Sequence, residues 1–421
     1  MRPRAETHRS AEELTGPVGE GERRTVLDAL RGLAIVGVLV ANVFTFAYPM
    51  VSSSPQIAAL RGAGAADRVV QVAVGILVEG KFYAMLSMLF GMGLMLQSRR
   101  VAERGGRFAR LYARRLLILF AIGIAHGILL YSADILSFYA LIALAATAFR
   151  GLSGRRLLGA AIAIFLIGLL VAGFGVDSAW PPDWERLASG EGTLPAPVGW
   201  ALRQLATDSA DFCRFMADEQ RIFQEGTWSE ITKHRAYAYL LLFLPAKLTF
   251  LGLFVLGLFL FGMYLVDSRV LDRLDSLRRF VWPAILVGVL LEITGVVSRT
   301  VAIAGSVLLA AGYAAALARF CRRHPDALAV RALAALGRLA LTNYLLQSVV
   351  YGLLFYATGF GLHARLTALE LLLITLPLFL LQVTFSLLWL RRFQFGPLEW
   401  LWRSLTYGTR IPLLRAAPEA M

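Results

Sequence analysis

The sequence predicts an all-α integral membrane protein of about ten transmembrane helices with both termini cytoplasmic. Three observations carry that prediction. First, 58% of the 421 residues are hydrophobic and only 17% are charged. Mean hydropathy is +0.65, and a water-soluble fold of this composition would leave large apolar patches exposed. Second, the apolar residues form continuous runs rather than alternating ones, which excludes a transmembrane barrel. Third, the net charge of +14 sits in short basic runs between apolar stretches. That is the distribution of cytoplasmic loops, not of a nucleic-acid-binding face. A soluble enzyme, a disordered chain and a disulfide scaffold are excluded with it. The two cysteines, Cys213 and Cys321, fall on opposite sides of the expected topology and should not pair.

A bilayer core of about 30 Å takes about 20 apolar residues in a helix. The stretches that qualify are 27–49, 77–97, 112–131, 133–149, 156–176, 238–265, 280–297, 300–319, 336–357 and 367–390. Orientation follows from arginine in the short loops. Arg99, Arg100, Arg104, Arg107, Arg110, Arg114 and Arg115 precede the third stretch. Arg150, Arg155 and Arg156 precede the fifth, and Arg319, Arg322, Arg323, Arg331 and Arg338 flank the ninth. Arg391, Arg392, Arg403, Arg410 and Arg415 fill the tail. All four groups lie inside when every stretch spans, including two short spans over 280–319.

The chain then divides into a polar N-terminal tail at 1–26 and a five-helix half at 27–176. An external loop follows at 177–237, then a second five-helix half at 238–390 and a cytoplasmic tail at 391–421. The tail at 1–26 does not resemble a secretory signal, so the first apolar run is expected to be retained. The loop, with Trp180-Pro181-Pro182-Asp183-Trp184, is longer than a simple connection and suits a lid or vestibule as well as an ordered connection.

Ionisable residues inside spans are the candidates for chemistry, because lipid makes them costly. Asp28 and Arg31 share a helix face. Asn42 lies on the same stripe about 16 Å deeper. The arginine could hold a phosphate at the cytoplasmic mouth, and the amide could donate to an oxyanion. The plainer reading is an interfacial ion pair and a helix-bridging amide. His126 is the one histidine within a span, and Asp134 follows it across a hairpin. A carboxylate against the imidazole would fix its tautomer and make it a general base; a histidine hydrogen-bonded across helices is the alternative. Glu79 and Lys81 suit a membrane interface. Glu292 and Arg299 are spaced to pair. Asn343, Gln347 and Tyr351 form a polar stripe that could line a substrate path or bind another helix. No P-loop, HExxH or GxSxG motif is present, and no metal site or bound cofactor is expected.

Two blocks near the C-terminus are distinctive. One is Gly337-Arg338-Leu339-Ala340-Leu341-Thr342-Asn343-Tyr344-Leu345-Leu346-Gln347-Ser348. The other is Arg391-Arg392-Phe393-Gln394-Phe395-Gly396-Pro397-Leu398-Glu399-Trp400-Leu401-Trp402-Arg403-Ser404-Leu405-Thr406-Tyr407-Gly408. Together, over 336–410, they resemble the signature of the YeiB-like family of bacterial polytopic membrane proteins. Leu27 to Ala34, Phe82 to Gly93 and the His126–Asp134 hairpin are similar to that family as well, so the resemblance covers residues 25–410. Residues 290–305 look shorter than the family's equivalent.

The resemblance implies kinship with transmembrane acyltransferases of the heparan glucosaminide N-acetyltransferase and sugar O-acyltransferase type. Those proteins move an acyl group from cytoplasmic acyl-CoA to an acceptor at the other face. Sugar O-acyltransferases carry an arginine and, after ten residues, a histidine in the first span. Here Arg31 is followed at that spacing by Asn42. His126 would then supply the base, oriented by Asp134, with Asn42 at the oxyanion and Asp28, Arg31, Asn343 and Gln347 along the substrate path.

The expected function is therefore an acyltransferase of the bacterial cytoplasmic membrane. Acyl-CoA is the donor, and the acceptor is a sugar, a lipid head group or an exported metabolite. The lipid bilayer is the expected partner, and nucleic acid is not. No sequence signal bears on oligomeric state. A small-molecule exporter is the alternative, with His126 or Glu292 carrying protons; the lack of an internal repeat or of broken helices counts against it. A non-catalytic envelope protein is the third reading.

Overall fold

The computed structural model describes residues 25–50, 64–103, 108–177, 187, 189, 208–269, 278–294 and 299–415. The polar tail at 1–26, apart from its last two residues, and the Trp180–Trp184 segment lie outside them. All ten apolar stretches are helical. Seven form helices long and apolar enough to cross a bilayer, and a bent pair makes an eighth. The fold is thus an all-α, multi-pass membrane fold.

The helices run in this order. α1 is Thr25–Ala47. α2 (Ala65–Leu77) and α3 (Lys81–Glu103) meet at Gly80, whose φ of 82° is the left-handed turn that glycine adopts without a Cβ clash. α4 is Phe108–Leu129 and α5 is Leu136–Ala146. α6 is Gly154–Asp177. α7 (Ser209–Ala217) and α8 (Glu219–Glu225) follow. α9 is one helix over Trp228–Asp267, widened into π turns at Ala238–Phe243 and Lys247–Leu251. α10 is Arg278–Thr294 and α11 is Arg299–Arg323. α12 (Leu328–Arg338) and α13 (Ala340–Phe355) meet at an angle of 81°. α14 is Ala368–Arg392 and α15 is Pro397–Tyr407.

Two expectations change. The 133–149 stretch is α5 plus one 3-10 turn, ending at Phe149. It is shorter than a bilayer crossing. The 336–357 stretch is not one straight span but the broken α12–α13 pair. Over its described part the 177–237 loop carries α7, α8 and the start of α9. At the helix starts, Asp208 accepts from the amides of Ala210 and Asp211, and Thr227 with Glu230 forms a capping box. Part of the 391–421 tail folds as α15, with Pro397 in its first turn and Gly408 in the left-handed conformation after its end.

The packing is that of a membrane bundle. Leu166, Leu170, Leu286, Leu290, Leu373, Leu376 and Leu380 are each more than half exposed, whereas Asn42, Asp134, Asn343, Gln347 and Ser348 are buried. α1 is central and touches α3, α11, α12, α13 and α14. Two crossings bring backbones together at glycine, as small residues do between membrane helices. A Cβ on Gly91 of α3 would stand 1.9 Å from the Phe259 carbonyl oxygen of α9. A Cβ on Gly337 of α12 would stand 1.8 Å from the Asp28 carbonyl oxygen of α1. Arg338, which follows Gly337, and Arg31 of α1 line one cavity. The buried cysteines are both free.

Candidate functional site

The distinctive C-terminal blocks lock together, and that shapes one end of the bundle. The break at Leu339 exposes the first amides of α13. Glu399 of α15 accepts from them, with Oε1 2.6 Å from Leu341 N and 3.0 Å from Thr342 N. Its Oε2 accepts from the Thr342 hydroxyl at 2.5 Å. A buried carboxylate thus caps a buried helix N-terminus, where the dipole favours negative charge. Burial pushes this carboxyl above the ordinary range, and the hydrogen bonds from Thr342 and Leu341 oppose that rise. Arg338 donates to the Gln394 carbonyl at 3.0 Å.

A cavity of about 290 Å³ opens at this end. Arg31, Arg100, Arg115, Arg338 and Arg403 stand around its mouth. Asp28 holds Arg31 at 2.6 Å, and the Arg115 guanidinium lies 4.0 Å over the Trp402 ring. Inward, Leu89, Leu116 and Leu119 make apolar walls, and Ile135, Leu136 and Tyr344 close the far end. On α4, Arg115 and His126 are eleven residues apart, three turns plus about 20°, so they share a stripe separated by about 16 Å.

Behind Tyr344 lies a buried polar cluster. The His126 and Tyr344 ring centroids are 4.9 Å apart. His126 Nδ1 is 2.8 Å from Asp134 Oδ1, and Nε2 is 2.8 Å from Ser348 Oγ. Asp134 Oδ2 accepts from both the amide and the hydroxyl of Ser137, each at 3.0 Å. The Ser137 hydroxyl bonds Tyr239, and Lys247 donates to the carbonyls of Ala133 and Asp134, both at 2.7 Å. Tyr239 and Lys247 sit in the two π turns of α9, a distortion that often marks functional positions. The hydrogen bonds assign a tautomer. The carboxylate accepts from Nδ1–H, which leaves the Nε2 lone pair facing Ser348, whose hydroxyl also lies 3.4 Å from the Tyr344 carbonyl.

The structure thus joins His126 to Asp134 and sets Asp28 and Arg31 at the cavity mouth. Asn42 stands one residue removed from His126. Its Oδ1 accepts from Tyr83 at 2.9 Å and Tyr131 at 3.3 Å, and Tyr131 lies edge-on to His126. Asn343 and Gln347 turn the other way. Asn343 donates to Ser386 at 3.1 Å and Gln347 to Gln382 at 3.1 Å, both on α14. They bridge helices and do not line the cavity.

Sequence reasoning missed Tyr344 and Ser348, although both stand in the quoted block. They are four apart, so they share a face, rotated by about 100° from the Asn343–Gln347 stripe. It also missed Arg100, Arg115, Arg338 and Arg403, which no local pattern ties to Arg31. Lys81 is buried and pairs with Glu292 at 2.8 Å; the Arg299 side chain lies outside the described residues. Among the described residues, no three His, Cys, Asp or Glu side chains could hold a metal ion together.

The comparisons with known proteins agree with the interlocked C-terminal blocks. Residues 269–409 match the family described as "Protein of unknown function (DUF418)". The chain is 30% identical to "Uncharacterized protein YeiB" of Escherichia coli (strain K12), over 95% of this chain and 98% of that protein. It is 28% identical to "Uncharacterized protein YxaH" of Bacillus subtilis (strain 168), again over 95% and 98%. A Bacillus acidopullulyticus relative, "Uncharacterized 39.9 kDa protein in amylase 3'region", is 26% identical over 94% of this chain and 98% of its own.

Proposed function

This chain belongs to the YeiB-like DUF418 family, and from that premise we propose that it is an acyltransferase of the bacterial cytoplasmic membrane, with both termini cytoplasmic. One observation carries the reading: an arginine-rimmed, apolar-walled cavity runs inward to Tyr344, which packs on a carboxylate-oriented histidine. Arginine forks suit phosphates. The walls suit an acyl arm, and the separation of about 16 Å along α4 requires a donor whose anionic head and reactive carbonyl are joined by an extended arm. Acyl-CoA has that construction. His126 takes the proton of the attacking hydroxyl or amine, and Asp134 positions the ring and stabilises the imidazolium. The acceptor is a sugar, a lipid head group or an exported metabolite. The site needs no bound cofactor for this chemistry.

The test is transfer of label from radiolabelled acyl-CoA to envelope material by the purified, reconstituted protein. Wild type transfers, Arg115→Ala raises the donor KM, and His126→Ala abolishes turnover. Absence of transfer from acetyl-, propionyl- and long-chain donors to every envelope fraction overturns the reading.

A second reading, export of a small molecule, is favoured by the break between α12 and α13 beside the cavity, since interrupted helices recur at transport sites. Protein-dependent accumulation of an envelope metabolite in vesicles, without acylation, supports it.

A further inference from the structure

Building on the acyl-transfer reading, we propose that Ser348 is the nucleophile and carries the acyl group as an ester between donor and acceptor. Three elements far apart in sequence converge on this arrangement. α4 brings His126, the α4–α5 hairpin brings Asp134, and α13 brings Ser348, which is 222 residues from His126. Both links are 2.8 Å. The order hydroxyl, imidazole, carboxylate is the nucleophile–base–orienter chain of serine acyl transfer, which is recognised by geometry and not by sequence order. The carboxylate is held by two Ser137 donors, so the imidazole has one orientation. His126 and Ser348 are buried, where the hydrogen bonds are electrostatically stronger than in water.

Tyr344 supplies the remaining part. It closes the inner end of the cavity one turn before Ser348. Its hydroxyl is buried, and no acceptor for its O–H is in hydrogen-bond range among the described residues; the Ile135 amide lies on the oxygen's acceptor side. A donor so placed can stabilise the oxyanion that forms as the thioester carbonyl is attacked. The ring stands between cavity and serine, so it swings aside as the acyl group enters.

The reaction balances in two halves. Ser348 Oγ bonds the thioester carbonyl carbon and the carbon–sulfur bond breaks. The serine proton passes through His126 to the departing thiolate. An acceptor hydroxyl or amine then attacks the ester, giving its proton to His126, which returns it to Ser348 Oγ. The covalent stage also suits the shape of the site. The cavity opens at the arginine end, while toward the other end Phe46 stacks on Tyr131 at 4.4 Å. An ester on Ser348 holds the acyl group after the donor has left, so donor and acceptor need not occupy the site together.

The test uses the full-length protein in proteoliposomes with acetyl- and palmitoyl-CoA as probes, without acceptor. The expected result is label that stays on the denatured protein, is released by hydroxylamine and maps to Ser348. Ser348→Ala retains none and lowers transfer by about 100-fold or more. Ser348→Cys, which keeps a nucleophile of similar size, regains label as a thioester and shows that the site still folds. Transfer by Ser348→Ala within about threefold of wild type overturns the inference and leaves the acyltransferase reading standing. An alkyl fluorophosphonate gives a readout independent of that reading, since the serine oxygen bonds phosphorus and expels fluoride. Labelling of Ser348 that is lost in His126→Ala supports the activated nucleophile even where no acyl-CoA is used. Neither fluorophosphonate labelling nor acyl transfer in wild type overturns both.

Discussion

The molecule contains two buried clusters built from the same kinds of group, and they have different neighbours. His126, Asp134, Ser137 and Ser348 form one; Lys81, Glu292 and Ser306 form the other. In the second, Lys81 Nζ donates to Glu292 at 2.8 Å and to the Gly75 carbonyl at 2.7 Å. Ser306 donates to Glu292 at 2.6 Å. It ties the α2–α3 turn to α10 and α11, and none of its members lines the arginine-mouthed cavity. The types of group present therefore do not by themselves tell the two clusters apart. What separates the clusters is the neighbour: Tyr344 lines the arginine-rimmed cavity and packs on His126, whereas Lys81 is held between the Gly75 carbonyl and Glu292.

The comparison is broken most forcefully at its two centres. His126→Ala is expected to lower acyl transfer by about 10²–10⁴-fold while detergent-solubilised protein keeps its melting behaviour. A large loss of stability would make that cluster a structural brace like the other. Lys81→Met leaves Glu292 buried without its counter-charge, which costs about 3–5 kcal/mol. The Lys81→Met/Glu292→Met double variant is expected to recover most of that, with donor KM unchanged throughout. Equal instability of single and double variants would deny the ion pair its bracing role.

Glu399→Gln sharpens the contrast at the mouth. It weakens the charge-assisted caps on Leu341 and Thr342 by about 1–3 kcal/mol, and because α13 carries Tyr344 and Ser348, activity should fall with the melting temperature. Activity that survives the destabilisation would uncouple the cap from the site. The smallest effect lies in the connection before α14, where burial holds the His363 imidazole down at about 4 from an ordinary 6.5. The unfolded chain binds the proton first, so stability present above about pH 6.5 is lost as pH falls toward about 4. The drop in melting temperature between pH 7 and 4.5 should shrink in His363→Gln; an unchanged drop assigns the acid sensitivity elsewhere.

Much of this architecture was legible along the chain because it is local. Continuous apolar runs mark helices without reference to any partner, and arginine clusters mark one end of the bundle. His126 stood out as the lone histidine in an apolar run. Its link to Asp134 is a hairpin contact across eight residues, within reach of sequence reasoning. Class, helix positions and that pair were therefore determined by the sequence alone.

The tertiary structure decided what depends on how each helix is rotated and where it crosses its neighbours. Lys81 meets Glu292, a partner that sequence spacing had offered to Arg299. The α12–α13 break has no proline at Leu339; it stands where Gly337 lies on α1 and Glu399 accepts the freed amides of α13. Rotation of α13 sends Asn343 and Gln347 toward α14 and Tyr344 and Ser348 toward His126. Hydropathy states that a helix is buried, but the side facing a given neighbour is set by interhelical packing between segments hundreds of residues apart, and that is why Ser348 could be named only once the bundle was assembled.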